Sequence, residues 1–158
     1  MKSASSIFSM QTYKAQSLFG LGGIPEVDQA LAAALCSGLK REYYLAARLK
    51  YALDYSVARE LESMLLRKGL GVSHAKKWRV PENRNYLQQM AGLAVAEMLF
   101  PLRYKQDQVR ADWVGVSKSQ FSRTWKKRYN LIYQILEDWT NCAYSHVMMR
   151  QRYDAQNN

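Results

Sequence analysis

The sequence has little of the residue types that cross-link small folds or bind metals. It contains two cysteines, two histidines and three prolines among 158 residues. Because Cys36 and Cys142 lie far apart in a chain long enough to fold without a disulfide, we predict two reduced thiols in a cytoplasm. No apolar run approaches the roughly 20 residues that cross a bilayer. The sequence therefore predicts a soluble cytoplasmic protein without a visible secretion signal.

Motifs that would indicate an enzyme are also lacking. There is no Walker-type phosphate loop and no metalloprotease helix motif, and the acidic residues are interspersed with lysines and arginines. Cys142 and His146 stand four residues apart on one helical face and could join Cys36 and His74 as zinc ligands. The wide spacing of the first pair makes zinc the weaker interpretation. We predict a protein that is not an enzyme and has no cofactor and no metal.

Positive charge, in contrast, is in excess. Lysine and arginine number 23 against 13 acidic residues, which gives a net charge of +10. The excess is uneven, because residues 1–66 are near balance whereas residues 67–84 hold six basic and one acidic side chain. Residues 101–158 hold ten basic and five acidic side chains. This distribution favours an acidic partner such as nucleic acid, bound through the second half of the chain.

The chain length suits one domain, and 48% hydrophobic residues can bury a core. Residues 1–23 lack a helical stripe and are predicted to form a flexible N-terminal arm, which is either disordered or docks on a partner. Residues 24–66 are predicted to hold the N-terminal helices, and residues 67–84 a basic connector. Residues 85–158 are predicted to be helical and to form one domain with residues 24–66.

Apolar residues recur at helical spacing along most of the chain, and no segment shows the sustained alternation of a strand. The predicted fold class is therefore all-α: a compact helical domain that contains a helix-turn-helix and a long C-terminal helix. Four helices are predicted before the motif. The first begins at Pro25 and ends near Gly38, and the second begins after Arg41 and continues through Tyr55. The third begins near Ser56 and stops at Gly69 and Gly71, and the fourth runs from Leu87 to Pro101.

The aromatic residues of this sequence allow two interpretations. The tyrosines of the second helix could stack on bases, but tyrosine on a helix more often packs its ring, and packing is favoured. They are Tyr43, Tyr44, Tyr51 and Tyr55. In the connector, basic residues flank Trp78 in the run from Lys76 to Arg79. This run either binds a nucleic-acid phosphate backbone or forms a solvated loop.

The most specific signal lies in residues 107–128, which have the spacing of a helix-turn-helix. Ala111 is small where two helices must approach closely. Gly115 stands where the turn needs a positive φ, which glycine adopts without steric cost. Ser117 can cap the second helix through its hydroxyl. Three apolar side chains are predicted to close the corner and point inward: Val114, Val116 and Phe121.

The predicted second helix begins with polar and basic side chains that can read a DNA groove. Arginine and lysine donate to guanine, glutamine pairs with adenine, and small hydroxyls let the helix approach the base edges. Lys126, Lys127 and Arg128 are better suited to phosphates, which position a helix without reading sequence. The predicted DNA-binding residues are Lys118, Ser119, Gln120, Ser122, Arg123, Lys126, Lys127 and Arg128, together with Arg110 on the first helix.

An ordinary helical hairpin with a basic face is the alternative, because Arg110 and Thr124 occupy positions that are often apolar in such motifs. DNA binding is favoured because residues 103–128 contain eight basic and two acidic side chains, so the shape and the charge coincide. Apolar residues continue at helical spacing beyond the motif. The second helix therefore either runs on toward Arg150 or breaks near Asn130 or Asn141.

Two stretches carry a family resemblance. They are GIPEVDQALAAALCSGLKREYYLAARLKYALD and RADWVGVSKSQFSRTWKKRYNLIYQILEDW. The second holds GVSKSQFSR, which is similar to the helix-turn-helix of many bacterial and phage regulators. Over nearly its full length the chain resembles the Q late-gene antitermination proteins of lambdoid phages. Among these proteins it is most similar to the phage 21 type. It departs from some Q proteins in having no cysteine-rich zinc segment.

The resemblance implies a bacterial host and a series of partners. Family members bind a DNA element beside the phage late promoter and load onto RNA polymerase that is paused with its sigma factor. They then make the polymerase ignore pauses and terminators, in the phage 21 type by narrowing the RNA exit channel. An accessory elongation factor and two copies on repeated DNA are further expected partners.

The resemblance also suggests roles for residues. The DNA-reading role falls to Lys118, Ser119, Ser122 and Arg123 at the front of the second helix. Nascent RNA is a polyanion that a basic wall attracts without reading its sequence. The candidate wall consists of Lys76, Lys77, Arg79 and Arg84.

Two other functions stay open at this point. The chain could be a helix-turn-helix repressor or activator that acts only at initiation. It could also be a helical interaction protein or RNA binder in which the helix-turn-helix resemblance is accidental. Binding to duplex DNA and the effect on elongation separate these hypotheses.

Overall fold

A computed structural model describes residues 37–79 and 85–157. Within these two ranges all regular structure is helical and there is no strand, which confirms the predicted all-α class. The predicted arm of residues 1–23 and the helix predicted to begin at Pro25 lie outside the described residues. None of the described helices is long and apolar enough to cross a membrane.

The described chain forms seven α-helices, a 3₁₀ turn and a π turn. The helices are α1 (Arg41–Ala52), α2 (Ala58–Ala75), α3 (Tyr86–Leu99), α4 (Pro101–Tyr104), α5 (Asp107–Val114), α6 (Lys118–Gln120) and α7 (Lys126–Asn157). The 3₁₀ turn is Tyr55–Val57 and the π turn is Phe121–Trp125. The chain divides into two compact units, and α7 contributes residues to both.

One unit comprises the described residues up to Val57 and those from Asp138 onward. Its core joins Ala47 and Tyr51 of α1 to Ala143 and Val147 of α7. Further side chains pack against this core, namely Leu39, Tyr43, Tyr44 and Tyr144. The tyrosines at positions 43, 44 and 51 therefore pack their rings, as predicted, whereas Tyr55 is exposed.

The other unit runs from Ala58 to Glu137. In it α2 packs against α3, and α3 also contacts α4 and α5. Large apolar side chains from α2, α3, the π turn and α7 are fully buried. They include Leu61, Leu65, Met90, Leu93, Phe121, Tyr129, Ile132 and Leu136. This unit contains the predicted helix-turn-helix residues and the described part of the basic connector.

The prediction that a helix stops at Gly69 and Gly71 is wrong, because α2 continues through both glycines to Ala75. Gly69 is buried against α7, and a Cβ there would lie 2.7 Å from Ile132 Cδ1. Glycine at this position therefore allows two helices to approach closely rather than ending one of them. As a result, residues 67–75 of the predicted connector are helical.

The C-terminus of α2 is closed by backbone hydrogen bonds in the pattern of a Schellman motif. The amide of Trp78 donates to Ser73 O over 3.0 Å, and that of Lys77 donates to His74 O over 3.1 Å. The motif needs a left-handed residue, and Lys77 fills that position with φ 52°. The turn that follows α2 is therefore fixed by the helix end and carries a lysine where glycine is usual.

Helix α3 confirms the helix predicted from Leu87 to Pro101, within one or two residues at each end. The side chain of Asn85 accepts a hydrogen bond from the Gln88 amide and caps its start. Pro101 begins the next short helix, where proline removes no helical hydrogen bond.

The long C-terminal helix is present and extends beyond its predicted end. Helix α7 follows α6 and the π turn without interruption and reaches Asn157. The alternative in which the helix breaks near Asn130 or Asn141 is therefore wrong. Both asparagines are exposed, so no buried packing opposes their place in the helix.

Candidate nucleic-acid interface

The corner between α5 and α6 is built around Gly115. Its φ is +78°, and its amide donates to Ala111 O over 2.9 Å and to Asp112 O over 3.2 Å. Ala111 and Val114 are buried under the corner, and Val116 is half-buried. These observations confirm the predicted positive φ at Gly115 and the predicted burial of Ala111 and Val114.

A capping box starts the second helix. Ser117 Oγ accepts from the Gln120 amide, and Gln120 Oε1 accepts from the Ser117 amide, each over 3.2 Å. This arrangement confirms the predicted capping role of Ser117. It also engages Gln120 Oε1, one of the two atoms that bidentate pairing with adenine requires.

Replacement of Gly115 with alanine tests the corner. A side chain at this φ is strained, so we expect the variant to unfold with a free energy about 1–2 kcal/mol lower than that of the parent. Gly71→Ala is the matched control, because Gly71 lies in the exposed face of α2 with open space around it. The control should gain about 0.5–1 kcal/mol. Urea denaturation that showed equal effects would contradict a strained corner.

Immediately after the cap, the helix widens into the π turn Phe121–Trp125. The Lys126 amide donates to Phe121 O, five residues back, as a π-helical hydrogen bond requires. Phe121 and Trp125 are buried, which confirms that Phe121 points inward. The three residues between them are exposed, namely Ser122, Arg123 and Thr124. The turn thus anchors both of its ends and presents its middle to solvent.

Five of the predicted DNA-binding side chains share an exposed surface around this turn. None of them makes a hydrogen bond or an ion pair with the described part of the chain. We call this set the reading face, and it consists of Lys118, Ser119, Ser122, Arg123 and Lys127. Three cations and two small hydroxyls are the chemistry that base edges and phosphates recognise.

Arg110 does not belong to this surface. Its Nε and Nη2 donate to both oxygens of buried Glu97, over 2.9 and 2.5 Å, and its Nη1 donates to Asp107 over 3.3 Å. Tyr129 donates its hydroxyl to the same Glu97 carboxylate over 2.5 Å. The prediction that Arg110 contacts DNA does not fit this arrangement, because all three of its guanidinium nitrogens donate to carboxylates of the protein.

The Glu97 network also shifts the pKa values of its tyrosines. Burial and the hydrogen bond to Glu97 raise the pKa of Tyr129. Burial and the charges of Glu97 and Glu137 raise the pKa of Tyr133 to about 12. For Arg110, the hydrogen bond and the charge of Glu97 outweigh burial and raise the pKa further. The guanidinium therefore remains charged and the phenols remain neutral at neutral pH.

Lys126 has a structural partner as well. Its Nζ donates to Asp107 Oδ2 over 2.7 Å and joins the beginning of α5 to the beginning of α7. The hydrogen bond and charge of Lys126, together with Arg110, outweigh burial and lower the pKa of Asp107 below its usual value of 3.8. The Lys126 side chain stays 42% exposed, so it can still approach a phosphate.

Acid should reveal this ion pair. Because the folded pKa of Asp107 is lowered, its stabilising contribution is complete above the usual pKa and is lost as the pH falls through the folded value. At neutral pH we expect Asp107→Asn to unfold more easily by a few tenths to about 1 kcal/mol. The difference from the parent should shrink below about pH 4. Thermal melts between pH 2 and pH 7 would check this, and a difference that stayed constant would contradict it.

Arg128 lies between two tryptophans. Its Cζ is 4.9 Å from the ring centroid of Trp125 and 5.5 Å from that of Trp78, and its Nη1 donates to Arg79 O over 2.9 Å. Tyr86 continues the stack on Trp125, with 4.3 Å between ring centroids. Burial lowers the pKa of Arg128. Arg128 therefore attaches the connector to α7, which its sequence position alone did not indicate.

Three basic residues of the turn that follows α2 are exposed. Lys76, Lys77 and Arg79 are exposed, and within the described residues their side chains form neither a hydrogen bond nor an ion pair. Arg84 lies outside the described residues. The turn thus presents three cations beside an aromatic residue whose ring is already covered by a guanidinium.

The proposed zinc ligands are not brought together by what the structure describes. Among residues 37–79 and 85–157 no group of three His, Cys, Asp or Glu side chains could hold a metal ion. Cys142 is exposed, and His146 Nε2 lies 3.2 Å from Ser37 O. Cys36 lies outside the described residues.

Sequence reasoning did not find the Glu97–Arg110–Tyr129 network or the Arg128 stack. One signal for the first was visible, since Arg110 occupies a position that is often apolar in such motifs and so needs a buried partner. Comparison with known proteins adds no further residue: no protein-family model, curated protein or solved structure gives a significant match to this chain.

Proposed function

We propose that this protein is a phage transcription antitermination factor. In this proposal it binds duplex DNA beside a late promoter and loads onto RNA polymerase that is paused with its sigma factor. It then travels with the polymerase, which reads through pauses and terminators, in part because the RNA exit channel is narrowed. The whole cycle takes place in the cytoplasm of a bacterial host.

One observation carries the DNA-binding part of this proposal: the reading face has free cations and hydroxyls on a rigid corner. The Gly115 turn, the Ser117 cap and the buried Phe121 fix the direction of the helix that carries these side chains. A groove-reading helix needs this combination, because base contacts require polar groups held at a defined position.

Charge supports the same conclusion. Lys118, Arg123 and Lys127 are exposed cations within ten residues of one another, and the carboxylate of Asp107 is paired with Arg110 and Lys126. The reading face therefore carries an excess of positive charge. Such a field accelerates encounter with a polyanion and provides the salt-dependent part of the affinity.

The antitermination part depends on the resemblance of the two sequence stretches to the Q proteins. A transcription assay tests it with purified protein, bacterial RNA polymerase and a template that has a late promoter and a downstream terminator. Read-through that requires the promoter-proximal DNA element supports the proposal. A change confined to initiation would favour a repressor or activator instead.

Footprinting on the same promoter DNA locates the DNA element. We expect protection beside the promoter by the protein alone and extended protection when paused polymerase is present. Arg123→Ala should weaken the footprint without changing the helical content seen by circular dichroism, because Arg123 is exposed. Protection that appears at every sequence equally would contradict specific loading.

A further inference from the structure

We infer that Lys76, Lys77 and Arg79 form a phosphate clamp that grips the backbone of the same duplex whose groove the reading face enters. This inference rests on the proposed DNA binding and deepens it. It assigns these three residues of the basic connector to DNA rather than to nascent RNA.

The clamp is attached to the helix that carries the reading face. Arg128 of α7 lies between the rings of Trp78 and Trp125 and donates to Arg79 O over 2.9 Å. On the other side, the Trp78 amide is bonded to Ser73 O at the end of α2. The turn is thus fixed at both ends, and its three free cations hold a defined position relative to α7.

The attachment point lies where a duplex presents phosphates. Arg128 follows Arg123 by five residues, a little over one turn along the same continuous helix. When the front of a recognition helix contacts base edges, the residues one to two turns later leave the groove and meet the sugar–phosphate backbone. The turn from Lys76 to Arg79 sits at this exit, so its cations fit phosphates that flank the groove.

Lys77 offers an independent indication. It holds a left-handed φ of 52°, a conformation that glycine adopts without steric cost and lysine does not. The charge at this position therefore comes with backbone strain. Leu53 adopts the same conformation after α1, so at Lys77 it is the exposed charge together with the strain that points to a task outside the fold.

The turn is better suited to duplex DNA than to single-stranded RNA. Proteins that hold single strands stack bases on exposed aromatic rings. The Trp78 side chain is half-buried and one face of its ring is covered by the Arg128 guanidinium. The exposed side chains beside this ring are the three cations, which serve phosphate contacts.

Salt dependence of duplex binding tests the clamp. We expect the double variant Lys76→Ala/Arg79→Ala to reduce the slope of log affinity against log salt by about two, since each phosphate contact contributes about one. The matched control is Arg67→Ala/Lys68→Ala, which removes the same charge from an exposed part of α2. The control should leave the slope nearly unchanged.

A variant that removes no charge tests the attachment itself. Trp78→Leu should lower duplex affinity and the salt slope in the same direction as the double variant, because the cations remain but lose their fixed position. Circular dichroism and a thermal melt establish that the variant is folded. If Trp78→Leu bound duplex DNA like the parent, the docked turn would have no part in binding and the clamp would be wrong.

Lys77→Gly separates function from stability. Relief of the left-handed strain should raise the melting temperature by a few degrees, whereas loss of the cation should weaken duplex binding. A purely structural lysine would give the first effect without the second, and this result would overturn the clamp.

The outcomes also distinguish the clamp from the proposed function. If Arg123→Ala weakens specific binding and the clamp variants behave like the α2 control, DNA binding stands and the clamp is wrong. If the clamp variants weaken binding to single-stranded RNA and not to duplex DNA, the turn is an RNA contact and the inference is likewise wrong. If the parent protein binds no duplex, both proposals fail together.

Discussion

Arg110→Ala is expected to lower the free energy of unfolding by about 3–5 kcal/mol, because it leaves the buried carboxylate of Glu97 without its counter-charge. The side chain of Glu97 is 7% exposed and that of Arg110 is 13% exposed. Tyr129 remains as a single hydrogen-bond donor, which cannot neutralise the charge. Urea denaturation of the parent and the variant measures the difference.

Two further variants make this prediction specific to the pair. Lys105→Ala removes an exposed cation from the segment between α4 and α5 and should change stability by less than about 0.5 kcal/mol. The double variant Glu97→Met/Arg110→Met removes both charges, so it should be more stable than Arg110→Ala alone. If it were less stable, the cost would come from lost packing rather than from an uncompensated charge.

Arg123→Ala is expected to weaken binding to the specific DNA element by about 1–3 kcal/mol, which corresponds to roughly 5-fold to 150-fold in the dissociation constant. Arg123 lies in the exposed middle of the π turn, and both neighbouring anchors, Phe121 and Trp125, are buried. Its guanidinium can therefore reach a base edge from a fixed backbone. Binding to unrelated duplex DNA should change much less, because a base contact carries the difference.

Lys127→Ala is the comparison for this experiment. It should weaken binding to all duplexes alike and reduce the salt slope by about one, as loss of a single phosphate contact does. Fluorescence anisotropy with specific and unrelated duplexes at several salt concentrations measures both quantities. If neither variant affects binding to any duplex, the reading face is an ordinary solvated surface and the helical interaction protein becomes the favoured interpretation.

Local sequence was sufficient to predict the corner of the candidate site. The positive φ of Gly115, the cap formed by Ser117 and the inward direction of Phe121 each depend on a few neighbouring residues. Such features follow from backbone sterics and short-range hydrogen bonds, which the order of residues determines directly. The helical class was predictable for the same reason, because apolar spacing is local.

Features that depend on distant residues could not be predicted in this way. Gly69 looked like a helix stop, but its role is set by Ile132, which approaches from α7. Arg110 looked like a DNA contact, but its partner Glu97 lies on another helix. Arg128 likewise looked like a phosphate ligand until its two tryptophan neighbours were known. A sequence shows which groups need partners, and only packing shows which partners they find.

The π turn at Phe121–Trp125 has a consequence for how specificity can change. A π turn holds one residue more than an α-helical turn between the same two anchors, so it behaves like an insertion that the helix absorbs. Deleting one residue between the anchors would return this stretch to ordinary α-helical winding with both anchors still buried. In the proposed DNA complex, a variant shortened in this way would offer one side chain fewer to the bases, with little alteration to the scaffold beneath.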